Sequence, residues 1–129
     1  MKYIFSAALL ACASTGEMAH AFDGNRLYSE CNTEDPGERI FCYGLISGMM
    51  SGLSASMQFA FLTRVENDDV AALDFEEQAL GYCIPSGVTL EQLADIAVGY
   101  LGKNPSIRHI DGAYIMIYAL REAFPCPPP

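Results

Sequence analysis

Positive charge is scarce in this sequence. Its 129 residues include seven Lys and Arg against 16 Asp and Glu, so the net charge is −9. Proteins that bind nucleic acid or anionic lipid neutralise phosphate groups with Lys and Arg, and this chain has few to offer. The composition argues against both kinds of ligand. It fits either a solvated acidic surface or a basic protein partner.

The residues and motifs of common catalytic and metal sites are also missing. After the first 21 residues, His109 is the only histidine, and the sequence has no Cys-x-x-Cys pair, GxSxG, HExxH or phosphate-binding glycine loop. A single histidine beside Arg108 on a helix is typical of a surface residue rather than a general base or a metal ligand. The sequence therefore predicts a protein that is not an enzyme and has no metal or cofactor.

The first 21 residues have the three parts of a secretory signal peptide. Lys2 gives a positive start, residues 3–13 are apolar, and Ala19-His20-Ala21 has the small-x-small pattern that precedes a cleavage site. The apolar stretch is too short to span a bilayer. We predict cleavage after Ala21, which leaves residues 22–129 as a single exported domain.

A lipoprotein-type cleavage site is the alternative interpretation of the same segment. Leu9-Leu10-Ala11-Cys12 resembles such a site, and Cys12 would then carry the lipid that anchors the chain. The region ahead of Cys12 is short for an export signal. A soluble exported protein is therefore the preferred prediction.

Four cysteines remain after the leader: Cys31, Cys42, Cys83 and Cys126. An even set in an exported chain predicts two disulfides, which leaves no free thiolate for catalysis. Four cysteines allow three connectivities. If the last two helices form an antiparallel hairpin, Cys83 and Cys126 lie at the same end, so we favour that pair together with Cys31–Cys42.

The chain reads as an all-α protein, a small disulfide-stapled bundle of about four helices. Helical segments are predicted at 24–31, 38–64, 89–102 and 105–123, and no strand is convincing. Thr89 with Gln92 predicts a capping box, and Asn104 before Pro105 predicts another helix start. The acidic connection, residues 65–82, is interpreted mainly as a solvated segment, and a helix over part of it is the alternative.

The longest apolar stretch has no charge between Arg39 and Arg64. Gly44, Gly48 and Gly52 recur every four residues and form a stripe on which another helix, or a second copy of the chain, could pack closely. A membrane span is the competing interpretation. Four serines, a glutamine and Cys42 within the stretch disfavour it, so we predict a buried central helix and no membrane span.

Ordered sequence blocks resemble one known family. They are Cys42–Gly48, with the pattern C-x-G-hydrophobic-hydrophobic-x-G; Cys83–Leu93, close to C-I-P-x-G-V-T-x-x-Q-L; and a closing set that includes Asn104-Pro105, His109 and Phe124-Pro125-Cys126. Over residues 27–126 the chain resembles the Rap/Tai family of periplasmic immunity proteins, which protect against amidases delivered by type VI secretion. The resemblance implies a small disulfide-bonded helical domain, often a homodimer, that occludes a peptidoglycan amidase with a Cys-His active site.

Two segments are candidates for contact with such a partner, since an inhibitor needs a protruding and preorganised surface. They are part of the acidic connection and the turn after the third predicted helix, with candidate residues Asp68, Asp69, Asp74, Phe75, Lys103 and Asn104. A general periplasmic envelope protein or acid-stress chaperone of the same helical fold, without an amidase partner, is the alternative function.

Overall fold

The computed structural model describes residues 22–63 and 69–128. Within them the fold is all-α and has no strand, which confirms the predicted class. The predicted leader and Cys12 lie outside the described residues. The helices are α1 (Gly24–Cys31), α2 (Pro36–Leu62), α3 (Asp69–Leu80), α4 (Leu90–Lys103) and α5 (Gly112–Ala123), with a 3₁₀ turn at Pro105–Ile107.

Short polar side chains fix where most of these helices begin. The Asp23 carboxylate accepts a hydrogen bond from the Arg26 amide at 2.9 Å, and Asp35 and Asp111 cap α2 and α5 in the same way. Thr89 and Gln92 form the predicted capping box at the start of α4. Each cap satisfies an amide without an intrahelical partner and contributes about 1 kcal/mol.

The region after α4 differs from the single helix predicted at 105–123. The Asn104 side chain does not cap a following helix, because its amide nitrogen donates to the Tyr100 carbonyl oxygen at 2.9 Å and helps to end α4. The 3₁₀ turn follows, and a new helix begins only where Asp111 supplies a cap. The acidic connection also contains a helix of its own, α3, which hydrophobic periodicity did not reveal.

The core lies where α1, α4 and α5 meet one side of α2. Its fully buried large side chains are Leu27, Ile46, Leu101, Ile115, Met116 and Leu120. Residues 22–24 join this core through two backbone hydrogen bonds. The Gly24 amide donates to Ile110 O, and the Gly112 amide donates to Phe22 O. A Cβ at Gly112 would lie 2.8 Å from that same oxygen, so this position requires glycine.

Both predicted disulfides are present. Cys31 is bonded to Cys42, and Cys83 to Cys126, with Cα–Cα distances of 5.1 and 4.9 Å. The second bridge lies beside the Tyr82–Pro125 backbone pair and the hydrogen bond from the Cys83 amide to Phe124 O. The connection between the last two helices is longer than the one from which the pairing was predicted, because residues 104–111 separate α4 from α5.

The expectation that α2 is a buried central helix is wrong. Only Cys42, Ile46 and Phe61 of its 27 residues are buried. A helix of this length extends about 40 Å, and the shorter helices cover one side of it. By length and composition alone α2 could cross a membrane: its apolar window has a mean hydropathy of 1.3 and is 11% buried.

We expect the two disulfides to contribute unequally to stability. The loops they close have sequence separations of 43 and 11, for which loop-closure entropy predicts about 4 and about 3 kcal/mol. Replacing Cys83 and Cys126 together by Ala should therefore lower the free energy of unfolding more than replacing Cys31 and Cys42 together. Urea denaturation of the two double variants measures this. The opposite order would show that loop closure does not govern their contribution.

Candidate interaction surfaces

The outer side of α2 carries an uncharged exposed surface along the whole helix. At 100° per residue its members fall within one third of the helix circumference. We call this surface the open face of α2; it comprises Ile40, Phe41, Gly44, Gly48, Gly52, Phe59 and Leu62. Its four large side chains are exposed: Ile40 by 70%, Phe41 by 46%, Phe59 by 71% and Leu62 by 51%. Large apolar side chains exposed together on one face are typical of an interaction site.

The glycine stripe lies in the middle of this open face. A Cβ placed on Gly44, Gly48 or Gly52 would find no described atom within 4 Å. In the described part of the chain, therefore, no other helix packs against the stripe. Of the two roles predicted for it, packing within the chain is not observed, which leaves contact with a second copy as a proposal.

The acidic candidates have different places in the structure. Asp68 lies outside the described residues, whereas Asp69 is the first residue of α3 and Asp74 lies within that helix. Phe75 is half-buried, with its ring centroid 5.6 Å from that of Phe61 in α2. The Phe75 ring thus helps to hold α3 on α2 and is only partly available to a partner.

The two residues of the other candidate segment, Lys103 and Asn104, differ in their accessibility. Lys103 is exposed, and its ammonium lies 3.9 Å from the Glu122 carboxylate at the end of α5. Asn104 is half-buried and hydrogen-bonds the end of α4. An exposed ion pair of this kind contributes little to stability, so Lys103 is free to exchange Glu122 for a partner's carboxylate.

A surface pocket of about 240 Å³ lies between α2, the end of α3 and the segment that follows α3. It is lined by Met50, Ser54, Glu76, Glu77, Tyr82 and Ile84. The Ser54 hydroxyl donates a hydrogen bond to the Glu76 carboxylate at 2.9 Å, which joins α2 to α3. The pocket therefore combines apolar walls with two carboxylates. Sequence analysis did not single it out.

Tyr82 forms a buried part of the pocket wall. Its side chain is 4% exposed, and its hydroxyl has no hydrogen-bond partner among the described residues. Burial raises the pKa of Tyr82 to about 12, with a further contribution from the charge of Glu76 and an opposing one from Arg121. The Tyr82 side chain is therefore a neutral phenol at physiological pH. No sequence pattern indicates an unpartnered hydroxyl, because its burial depends on tertiary packing.

The described residues include one histidine and four cysteines. His109 is exposed, and its Nδ1 lies 3.0 Å from the Ser106 carbonyl oxygen. The four cysteines described are all in disulfides. No group of three metal-ligating side chains occurs in residues 22–63 and 69–128. The described helices present two surface features, the open face of α2 and the pocket beside Tyr82.

Two disulfides in a small helical domain fit an exported protein. The sequence model of the Rap1a immunity proteins matches residues 23–126, so the chain belongs to the Rap1a immunity protein family. Searches of curated proteins and of solved structures returned no match. The family confirms the resemblance found in the sequence and makes this an immunity protein, whose partner is an effector protein.

The raised pKa of Tyr82 predicts a loss of stability at high pH. The unfolded phenol ionises near pH 10, whereas the folded one ionises at about 12. Between these values the unfolded state releases a proton that the folded state retains, so stability falls as pH rises, by about 2 kcal/mol across the window. Urea denaturation at intervals from pH 9 to pH 12 should show a steeper fall for the native protein than for Tyr82→Phe. Parallel curves would contradict the assignment.

Proposed function

We propose that this immunity protein acts in the periplasm, where it binds and inhibits a peptidoglycan amidase effector of type VI secretion. The observation that carries the proposal is the family match over residues 23–126, nearly all of the domain. Two disulfides suit an oxidising compartment, as does the predicted signal peptide. The net charge of −9 suits a basic protein partner.

Inhibition of an enzyme by a small domain requires a surface that is rigid before binding, because ordering it on binding reduces affinity. The acidic helix α3 is held on α2 by the Phe75–Phe61 contact and by the Ser54–Glu76 hydrogen bond. We assign the segment from Asp68 to Phe75 to contact with the amidase. Lys103, exposed at the end of α4, is the second contact in this proposal, and Asn104 orders the turn beside it.

The open face of α2 supports a homodimer as part of the proposed function. Its large side chains lie at the two ends of the helix, and the glycines lie between them. Two copies of α2 packed antiparallel would bring Ile40 and Phe41 of one copy against Phe59 and Leu62 of the other. Ile40 would pair with Leu62 and Phe41 with Phe59, and the midpoints of these pairs, residues 51 and 50, nearly coincide, as a two-fold axis requires. The glycines near this midpoint would let the two backbones approach closely.

The test of function is capture by the oxidised protein purified from the periplasm. The bait is offered a periplasmic extract and, separately, candidate secreted amidases. A single amidase retained at a fixed stoichiometry is the expected result. Diffuse capture of unfolded proteins that strengthens at low pH, with no amidase retained, would instead favour the envelope-chaperone alternative.

Charge reversal in the acidic segment should slow association with the amidase. Asp68→Lys with Asp69→Lys removes negative charge that would attract a basic partner over a distance. We expect the association rate to fall by about tenfold at low salt, with a smaller change in the dissociation rate. Stopped-flow mixing at two ionic strengths measures this. Glu34→Lys with Asp95→Lys, two exposed residues outside the acidic connection, makes the same change in total charge and is the control. Equal rates for both double variants would remove the assignment.

A bulky side chain on the glycine stripe should separate the proposed dimer. Gly48→Leu would hold the two α2 backbones apart, whereas the isolated domain has open space at this position. We expect a monomer of undiminished stability, because Leu favours helix more than Gly by about 0.8 kcal/mol. Analytical ultracentrifugation measures the oligomeric state. Gly102→Leu in α4, equally open, should leave the dimer intact; a dimer that also survives Gly48→Leu would contradict this interface.

A further inference from the structure

Both disulfides join cysteines that are neighbours in chain order. Cys31 is bonded to Cys42 and Cys83 to Cys126, and no other cysteine lies inside either loop. Of the three connectivities open to four cysteines, this is the one in which the loops neither cross nor enclose each other. Each bridge can therefore form without the other, and the first needs no residue beyond Cys42.

The turn between α1 and α2 is organised by hydrogen bonds between near neighbours. The Asp35 carboxylate accepts from the amides of Gly37 and Glu38 at 2.8 and 3.0 Å, at the start of α2. The Thr33 hydroxyl donates to the Glu38 carboxylate at 2.6 Å across the same turn. The turn that brings the two cysteines of the first bridge together is therefore built from local contacts.

Loop length favours the first bridge over every other pair of these cysteines. Cys31 and Cys42 are 11 residues apart, whereas the closest non-native pair, Cys42 with Cys83, is 41 residues apart. The probability that two points of a flexible chain meet falls as about the three-halves power of their separation, which favours Cys31–Cys42 by roughly sevenfold. Once this bridge has formed, Cys83 and Cys126 have only each other as partners.

The predicted direction of export acts in the same sense. A signal peptide at the N-terminus brings the chain into the oxidising compartment in sequence order, so Cys31 and Cys42 arrive before Cys83. After folding, Cys42 is 1% exposed, which shields its sulfur from exchange with another thiolate. The native pairing is therefore favoured both while the bridges form and afterwards.

We propose that maturation of this protein requires a protein thiol oxidase and no disulfide isomerase. For each bridge a cysteine thiolate attacks the disulfide of the oxidase, whose other sulfur leaves, and the second cysteine thiolate then displaces the oxidase from the mixed disulfide. Each bridge passes two electrons and two protons to the oxidase, which leaves as a dithiol. The proposal rests on the oxidising location given in the proposed function and not on the amidase.

The test follows oxidation of the reduced protein. Protein purified from the periplasm is reduced, unfolded in urea and diluted into an excess of a periplasmic thiol oxidase in its disulfide form, with or without a disulfide isomerase. Free thiols are blocked at intervals, and the bridges are identified by peptide mass spectrometry. We expect Cys31–Cys42 to be the most abundant single bridge and the yield of native protein to be the same with the isomerase. A dominant non-native bridge, or a yield that the isomerase raises several-fold, would overturn the proposal.

Two double variants test the loop-length argument in denaturing urea, where neither needs to fold. Cys83→Ala with Cys126→Ala retains only the first bridge, and Cys31→Ala with Cys42→Ala retains only the second. The separations are 11 and 43. At a fixed ratio of reduced to oxidised glutathione, they predict an equilibrium constant for closure about eightfold higher for the first bridge.

Equal closure constants for the two double variants would overturn the proposed order of oxidation. Neither measurement uses the amidase. A failure here therefore leaves the proposed function standing, and a failure to capture an amidase leaves the oxidation proposal standing.

Discussion

The Cys31–Cys42 disulfide joins the last residue of α1 to the first third of α2, and it is the one covalent link between the longest helix and another element among the described residues. Only three residues of α2 are buried, and its other contacts with the core are made by partly buried side chains: Tyr43, Met49, Met50, Leu53 and Met57. Cys42 itself is 1% exposed, which places the bridge at the contact between α2 and the core. The ion pair between Arg39 and Glu91 lies nearby at 2.9 Å, but it is exposed and contributes little. The covalent bond therefore allows α2 to keep its other side free.

The second disulfide joins the segment after α3 to the segment after α5. Cys83–Cys126 holds the segment after α3 against the end of α5, where Tyr82 pairs with Pro125. Glu76 and Tyr82 consequently occupy fixed positions on the two sides of the acidic pocket. A small domain has a limited core, and disulfides commonly supply the stability that the core lacks. Here they also let the domain keep polar and apolar surfaces open for a partner.

Sequence reasoning succeeded where the determinants are local. The capping box at Thr89 and the span of α1 depend on neighbouring residues. The disulfide pairing was predicted from the order of elements along the chain and is confirmed. Sequence reasoning failed for α3, whose apolar residues show no strong helical period, and for Asn104, which ends one helix instead of starting the next. The exposure of α2 was also missed, because an apolar helix with small residues has the same pattern whether other helices surround it or cover one side. The lone hydroxyl of Tyr82 depends on packing between α2, α3 and α5, which no local pattern encodes.

We propose that this member of the Rap1a immunity proteins silences a peptidoglycan amidase by occupying it. The most direct measurement titrates the oxidised protein into the captured amidase at a concentration well above the dissociation constant and follows peptidoglycan hydrolysis. Occupation of the amidase predicts a linear fall in the rate of hydrolysis that reaches zero at a fixed ratio of the two proteins. Hydrolysis that continues at full rate in the saturated complex would contradict it.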